Sequence, residues 1–400
     1  MRTSYDVIVI GAGSIGMSAG SNLARRGIST LLIDAFDPPH GGGSHHGETR
    51  LLRHAYARGG PYAAMAVQAH RLWNELEEES GRKLFFRSGV LNMAPAGHSG
   101  LRDKLESSVA LQLPVELLRP EEIAKRWQGV QLPDDYAGLF EPEAGYLLSE
   151  QCVQAYRETA LAHRAVLLPY TRVTEVVPGN ASVTVKTGVG DFHADRLIVS
   201  AGAGVGSVLL PSLSLPVTPV RKAVAWFQAD EALFTSERFP GFTLSTPEGG
   251  FYGFPSIQGS GVKIGRHETG LPLSPVEQPA DFGTLPEDEG DVRRALETYM
   301  PAAAGALLRG GVCKYELSPD EHFIIDRAPC DPNIQIACGF SGHGFKFASV
   351  VGEILADRIE GKSDAFDLSM FRLSRFQEQQ VGSVRWISFP IERHKRHSLE

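Results

Sequence analysis

The stretch from Tyr5 to Asp34 leaves this chain few folds to choose from. Tyr5 to Ile10 is a short β-branched run suited to a strand buried on both faces, as a parallel sheet requires. Gly11-Ala12-Gly13-Ser14-Ile15-Gly16 follows at once, then a helical stretch through Arg26 that ends at Gly27, then an apolar strand from Thr30 to Ile33. In that order each glycine has a physical task. Gly11 permits the tight turn, Gly13 lets the backbone approach a pyrophosphate, and Gly16 lets the helix pack on the strand. The helix N-terminus, where Ser14 and Ile15 lie, offers unpaired amides and the positive end of a dipole. Asp34, with Ala35 beside it, stands where an acid takes ribose hydroxyls. A glycine-rich turn with no ligand is the plainer reading, but strand, helix and acid at this spacing favour a dinucleotide. FAD and NAD both remain open at this point, because each places an adenosine diphosphate in such a crevice.

At 400 residues the chain exceeds one ordinary core and predicts two to three domains. Its 42% hydrophobic and 22% charged residues, with 43 Gly and 25 Pro, suit a folded α/β chain rather than a disordered or coiled-coil one. A net charge of −8 gives no support to a nucleic-acid-wrapping surface. The four cysteines, Cys152, Cys313, Cys330 and Cys338, form no CxxC pair, which argues against a disulfide scaffold or a zinc ribbon and for a reducing compartment. The N-terminal residues show no signal-peptide pattern, so the expected location is cytoplasmic. Leu197 to Val220 is uncharged and long enough to span a bilayer, but its glycines, serines and three prolines read as strand, turn, short helix and loop. No membrane partner is expected.

The nucleotide fold is predicted to be interrupted. Val166 to Val177, Ser182 to Thr187 and Phe192 to Ser200 read as strands, the last leading into Ala201-Gly202-Ala203-Gly204, a turn small enough for a second close approach to a cofactor. Near the C-terminus, Asn333 to Cys338 is strand-like, and Gly339-Phe340-Ser341-Gly342-His343-Gly344 leads into a helix from about Lys346 to Ile359. A helix N-terminus behind those glycines could aim its positive end at an electron-rich ring edge, such as a flavin pyrimidine. A sheet that returns to the nucleotide after long insertions suits a two-domain flavoprotein better than a simple NAD dehydrogenase. The expected α/β architecture is an FAD-binding Rossmann-like domain (1–86, 148–220 and 322–376) with a discontinuous α+β substrate domain (87–147 and 221–321) built on one antiparallel sheet. Residues 377–400 read as a basic tail.

Several polar residues stand out. Ser44 to His54 concentrates titratable side chains, and Arg50 and Arg53, three apart, would share a face of a helix and meet one anion, unless they are surface ion-pairing groups. Adjacent His45 and His46 lack the thiols or carboxylates of a metal set, so no metal is expected. On a strand Lys263 and His267 would face the same side, with Tyr252 nearby in sequence; a solvent-facing strand is the alternative. Cys313 is either a small buried hydrophobe or a thiol able to attack a flavin.

Together, Gly11 to Gly16, Gly43 to Arg50, Lys263-Ile264-Gly265, Cys313, Ser318 to Asp326 and Gly342 to Phe347 resemble the monomeric sarcosine oxidase family, in order over roughly residues 4 to 376. Ala225 to Asp230 and the segment from Tyr56 look most like its N-methyl-L-tryptophan oxidase branch. The resemblance implies a fold like those of D-amino-acid oxidase and glucose oxidase, and an FAD-dependent amine oxidase that demethylates an N-methyl amino acid with O2, yielding formaldehyde and hydrogen peroxide. It implies flavin attached through Cys313, oxygen reacting at Lys263, and a substrate carboxylate clamped by Arg53 and Lys346. Arg50, Tyr252, His267 and Tyr315 would line the active site. Further cofactor contacts implied are Ser44, His46, Thr49, Val173, Ala201, Gly202, Gly342, His343, Gly344 and Phe345, with Arg50 and Lys346 serving there too. A monomer acting on a small secondary amino acid completes the expectation.

Overall fold

In the computed structural model, residues 2–179, 181–205, 215–268, 270–274 and 277–376 are described. Ser4–Ile10 lies at the centre of an eight-stranded sheet, paired in parallel with Thr30–Ile33 on one side and Gly190–Val199 on the other. Alternation along this strand feeds two cores. Val7 and Val9 pack among residues of the helices Ser14–Arg25 and Ala348–Ile359, whereas Ile8 and Ile10 pack with Val183, Val185 and Phe192 on the opposite face. The first helix stops where Gly27 takes φ 78°, a left-handed conformation that ends the helix and turns the chain into Thr30–Ile33.

Gly190–Val199 changes partners along its length. Its first half pairs antiparallel with Val183–Thr187, and Leu197 to Val199 pair in parallel with Ile334 to Ile336 of Asp331–Cys338. The late strand thus returns to the opening sheet. The segment expected as one strand from Val166 to Val177 is two. Val166–Leu168 pairs with Thr30–Ile33, and Val173–Pro178 pairs with Val183–Thr187. Between them the chain wraps Asp34: Asp34 N donates to Leu168 O and Thr171 N donates to Asp34 O. The break therefore shapes the end of the nucleotide crevice.

A second sheet of nine strands contains Thr218–Phe227, Val262–Arg266, Gly249–Phe254, Gly241–Thr246, Val90–Pro95 and Tyr136–Glu141 in spatial order, with Leu307–Leu317 on the far edge of Thr218–Phe227. It was expected to be wholly antiparallel. Instead, the strands from the two insertions meet in a parallel pair, Gly241 to Leu244 beside Val90 to Met93. Its aromatic core includes Phe227, Phe234, Phe242 and Phe251.

A small third sheet, Thr49–Leu52 with Gly145–Leu148 and Phe85–Phe86, corrects another expectation. Arg50 lies on a strand, with Arg53 just beyond its end, so helical spacing does not bring them together. The helix expected from Lys346 begins with a 3-10 turn, Phe345–Phe347, and becomes α-helical at Ala348. The uncharged stretch 197–220 is strand, the 3-10 turn Gly202–Gly204 and the start of Thr218–Phe227, while 206–214 fall outside the described residues, as does the tail 377–400. Among the described residues no helix is long and apolar enough to cross a membrane.

Candidate active site

One cavity of about 1120 Å3 runs from the opening glycine turn to the second sheet. That exceeds the roughly 300–1,000 Å3 of an ordinary small-ligand pocket, leaving room for a dinucleotide and a substrate together. At the first end lie Gly11, Gly13, Ser14, Ile15, Asp34, Ala35, Val173, Ala201 and Gly202. Gly11 has φ 86°, and a Cβ there would stand 2.5 Å from Ser200 O. A Cβ on Gly16 would lie 1.9 Å from Gly11 O, so Gly16 sits behind the wall and lets the helix close on the turn. The helix has no side-chain cap and no acid in its first turn. Its positive end is thus left to whatever occupies the cavity. Asp34 Oδ2 accepts from Ala12 N at 2.8 Å and Oδ1 from Phe36 N at 2.9 Å, which fixes the carboxylate at the cavity edge.

The middle of the cavity is bounded by the loop before Thr49–Leu52. Arg50 donates to Ser44 O and His46 O at 2.7 and 2.6 Å, and Ser44 Oγ donates to Lys314 O beside Cys313. His46 Nε2 is buried without a hydrogen-bond partner while its ring lines the cavity, as a residue awaiting a polar ligand would be. His45 is held neutral, its proton affinity pushed down to about 3, first by burial and then by His40. Among the described residues no group of histidines, cysteines and acids could hold a metal.

Lys263 is only 3% exposed, which rules out a solvent-facing strand. Its Nζ donates to Gly47 O, and to Thr49 O and Oγ1 at 3.3 and 3.2 Å, so Thr49 supports Lys263 from behind and does not itself line the cavity. Burial, then the Arg50 charge, holds the ammonium well below the usual lysine range. Cys313, on Leu307–Leu317, also faces the cavity. Burial raises its thiol, while Arg50, Lys263 and Lys222 pull it back toward the thiolate.

At the far end, Tyr315 OH donates to Tyr252 OH at 3.4 Å, and burial raises Tyr252 to about 12, so both phenols stay protonated. His267 lines the same region as a neutral imidazole, lowered to about 4 by burial. Gly342 has φ 76°, and a Cβ there would meet the Tyr315 ring at 2.0 Å; this glycine lets the tyrosine close over the backbone. His343, Gly344 and Phe345 continue the wall. Lys346 Nζ donates to Tyr56 OH at 3.2 Å and His343 O at 2.9 Å, and Tyr56 OH can donate onward to His343 Nδ1 at 2.9 Å. Burial and then Arg53 lower the Lys346 ammonium well below its usual range. The Arg53 guanidinium lies 5.0 Å from the Tyr56 ring centroid and shares the cavity wall with Lys346.

Among the wall residues with no role assigned from the sequence, three polar ones stand out. Tyr56 links Lys346 to His343, Arg58 pairs with Glu321, and Lys104 enters from the helix Ser99–Ala110. Tyr56 and Arg58 lie close enough to Arg53 in sequence to have drawn notice; Lys104 sits in a helix whose exposed charges mask it.

The arrangement fits FAD by its open helix terminus, its close backbone approach at Gly11 and the unpaired His46 Nε2. Residues 6–358 match the family described as FAD dependent oxidoreductase. The chain is 47% identical over 379 residues to monomeric sarcosine oxidase of Bacillus sp. (strain NS-129), covering 94% of this chain and 98% of that one. It is 41% identical over 375 residues to N-methyl-L-tryptophan oxidase of Salmonella dublin, covering 94% and 100%. These identities put the sarcosine oxidase ahead, the reverse of the order that the Ala225 to Asp230 segment pointed to. Among solved structures, NikD, titled an unusual amino acid oxidase, superposes with a TM-score of 0.81 at 24% identity over 93% of this chain and 98% of that one. Glycine oxidase from Geobacillus kaustophilus gives 0.79 at 20% identity over 94% and 99%, and both likenesses bear on the fold. Cavity, fold and relatives agree that this chain belongs to the FAD dependent oxidoreductase family, in its monomeric sarcosine oxidase group.

Proposed function

We propose that the protein oxidises N-methyl amino acids with molecular oxygen, releasing the free amino acid, formaldehyde and hydrogen peroxide. The observation that carries this reading is the pairing of Arg53 and Lys346 at one end of a cavity whose other end is the glycine turn. Bound FAD would supply the acceptor for the hydride lost from the carbon beside the substrate nitrogen. Arg53 and Lys346 hold the carboxylate by charge-assisted hydrogen bonds and so fix where that carbon stands. The cationic wall formed with Arg50 and Lys263, beside a neutral His267, disfavours a protonated amine and keeps the reactive lone pair free. Tyr252, half-buried, and Tyr315, buried, are both protonated, exclude water and offer hydroxyls to the substrate.

Lys263 supplies positive charge where oxygen gains electrons. Burial depresses its ammonium, and an anionic group held beside it would raise its proton affinity again. Cys313 would be the residue that anchors FAD through its Sγ, and Arg50, Lys263 and Lys222 oppose the burial that disfavours its thiolate. Asp34 and the amides at Gly13 to Ile15 hold the adenosine and pyrophosphate end. The setting proposed is cytoplasmic, and the enzyme a monomer with small-molecule partners.

The test is product balance. Aerobic incubation with sarcosine or N-methyl-L-tryptophan should yield formaldehyde and hydrogen peroxide in equal amounts. Formaldehyde without peroxide would point to a flavin dehydrogenase with another electron acceptor, and neither product from any secondary amino acid would end the reading.

A further inference from the structure

The substrate end of the cavity holds one more cation than an N-methyl amino acid needs. Arg53, Lys346 and Lys104 line it together, the Arg53 charge acts on both lysines, and Glu141 is the acid that opposes it at each. Glu141 is buried behind them with both oxygens engaged by neutral donors: Oε2 by His54 N and Ala55 N at 2.8 Å, Oε1 by Asn92 Nδ2 at 2.9 Å. Arg58 adds no excess, being paired with Glu321. Three cations against one carboxylate leave two positive charges uncompensated when all are protonated. A substrate α-carboxylate offsets one of them.

Lys104 carries the other. It projects from Ser99–Ala110, whose Gly100, Leu101 and Lys104 share one face and line the cavity, as helical spacing requires. Its Nζ donates to Asn92 Oδ1 at 2.9 Å, a neutral acceptor already shared with Thr243 Oγ1. Among the described residues no acid forms an ion pair with it. Burial, with Arg53 adding to the fall and Glu141 opposing it, brings this lysine down to about 7. That is the state of an ammonium short of a counter-charge, and an arriving anion would raise it again.

We propose that Lys104 receives a second carboxylate, and that the preferred substrates are N-methyl amino acids with an acidic side chain, of the aspartate or glutamate type. Arg53 and Lys346 take the α-carboxylate, Lys104 with Asn92 behind it takes the side-chain acid, and the charge of the pocket closes. The proposal rests on the oxidase reading of the site.

The experiment compares N-methyl-L-aspartate and N-methyl-L-glutamate with their neutral amide counterparts and with sarcosine, in the holoenzyme and in Lys104→Gln and Lys104→Arg. In the parent enzyme the better acid should exceed its own amide in kcat/KM by about tenfold or more, the worth of one charge-assisted hydrogen bond. Lys104→Gln should lower the acid-to-sarcosine ratio of kcat/KM by about tenfold, and Lys104→Arg should retain most of it. Equal rates for acid and amide in the parent, or an equal loss for acid and sarcosine in Lys104→Gln, would overturn the proposal. Should no amine be oxidised, the oxidase reading fails, and titration of the flavin absorbance with succinate or glutarate against propionate still decides the subsite. Tighter binding of a dicarboxylate that Lys104→Gln abolishes supports it, and no difference overturns it.

Discussion

Cys313 and Lys263 face the same cavity under the influence of the same guanidinium, yet their proposed roles need opposite charges. Arg50 favours the Cys313 thiolate and disfavours the Lys263 ammonium, so each is tuned by a charge held in place by the carbonyls of Ser44 and His46. Cys313→Ser is expected to fold and to release its flavin into the supernatant when the protein is precipitated by acid, whereas the parent pellet stays yellow. Colour in the parent supernatant would remove the covalent link. Lys263→Met should keep the flavin and still be reduced by substrate, with reoxidation by oxygen slowed by about a hundredfold or more, as for loss of one preorganised electrostatic partner. Stopped-flow reoxidation at the parent rate would contradict that role. Legibility at this scale followed local context. The Arg50 and Lys263 motifs could be picked out in sequence, but Lys104 could not: a lysine on a helix with Arg102, Asp103 and Glu106 reads as solvent-facing, and only the strand bearing Asn92 turns it inward.

Helices and strands were legible where a local pattern set them. Thr30–Ile33 matches its expected bounds, and the opening helix ends within a residue of the expected place because Gly27 stops it. Misreadings arose where tertiary contacts decided. The 166–177 run has β-branched residues at both ends and passes for one strand, but Pro169 and Arg172 interrupt it, its two ends have different partners, and the chain between them hydrogen-bonds to the Asp34 backbone. Likewise the arginine spacing at 50 and 53 suits a helix, and pairing with Gly145–Leu148 overrides it. The opening turn gives a prediction at this scale. Gly16→Ala should lower the melting temperature and the flavin content together, since its Cβ would sit 1.9 Å from Gly11 O and force the helix off the strand at a cost of about 1–3 kcal/mol. A fully loaded variant with the parent melting temperature would show that the helix has room to shift.

Across the whole molecule, the sequence reads as one sheet for the nucleotide and another covering it; the strands form two large sheets and a small third one, Thr49–Leu52 with Gly145–Leu148 and Phe85–Phe86. The parallel join of Gly241–Thr246 to Val90–Pro95 was not readable, because nothing local to either segment records a partner about 150 residues away. Folding also buries histidines far from their usual proton affinity: His45 falls to about 3, and His70 and His267 to about 4, each mainly through burial. Their folded values lie below the unfolded value near 6.5, so the unfolded chain binds protons first as the solution is acidified. Stability from these groups is intact above about pH 6.5 and is lost as the pH falls toward 4. Glu316, raised by burial to about 7, works in the opposite sense, but it is one group against three. The melting temperature should therefore fall steadily from pH 7 to pH 5, and a flat or rising profile would contradict the buried, neutral histidines.

The central claim is that this cavity passes electrons from an N-methyl amino acid to FAD and then to oxygen. Anaerobic mixing of the purified protein with sarcosine, followed by admission of air, tests it most directly. The visible flavin absorbance should bleach without oxygen and return with air as hydrogen peroxide appears, and Arg53→Ala should need far more substrate for the same bleaching. Flavin that stays oxidised in the presence of every N-methyl amino acid tried, in well-folded yellow protein, would contradict it.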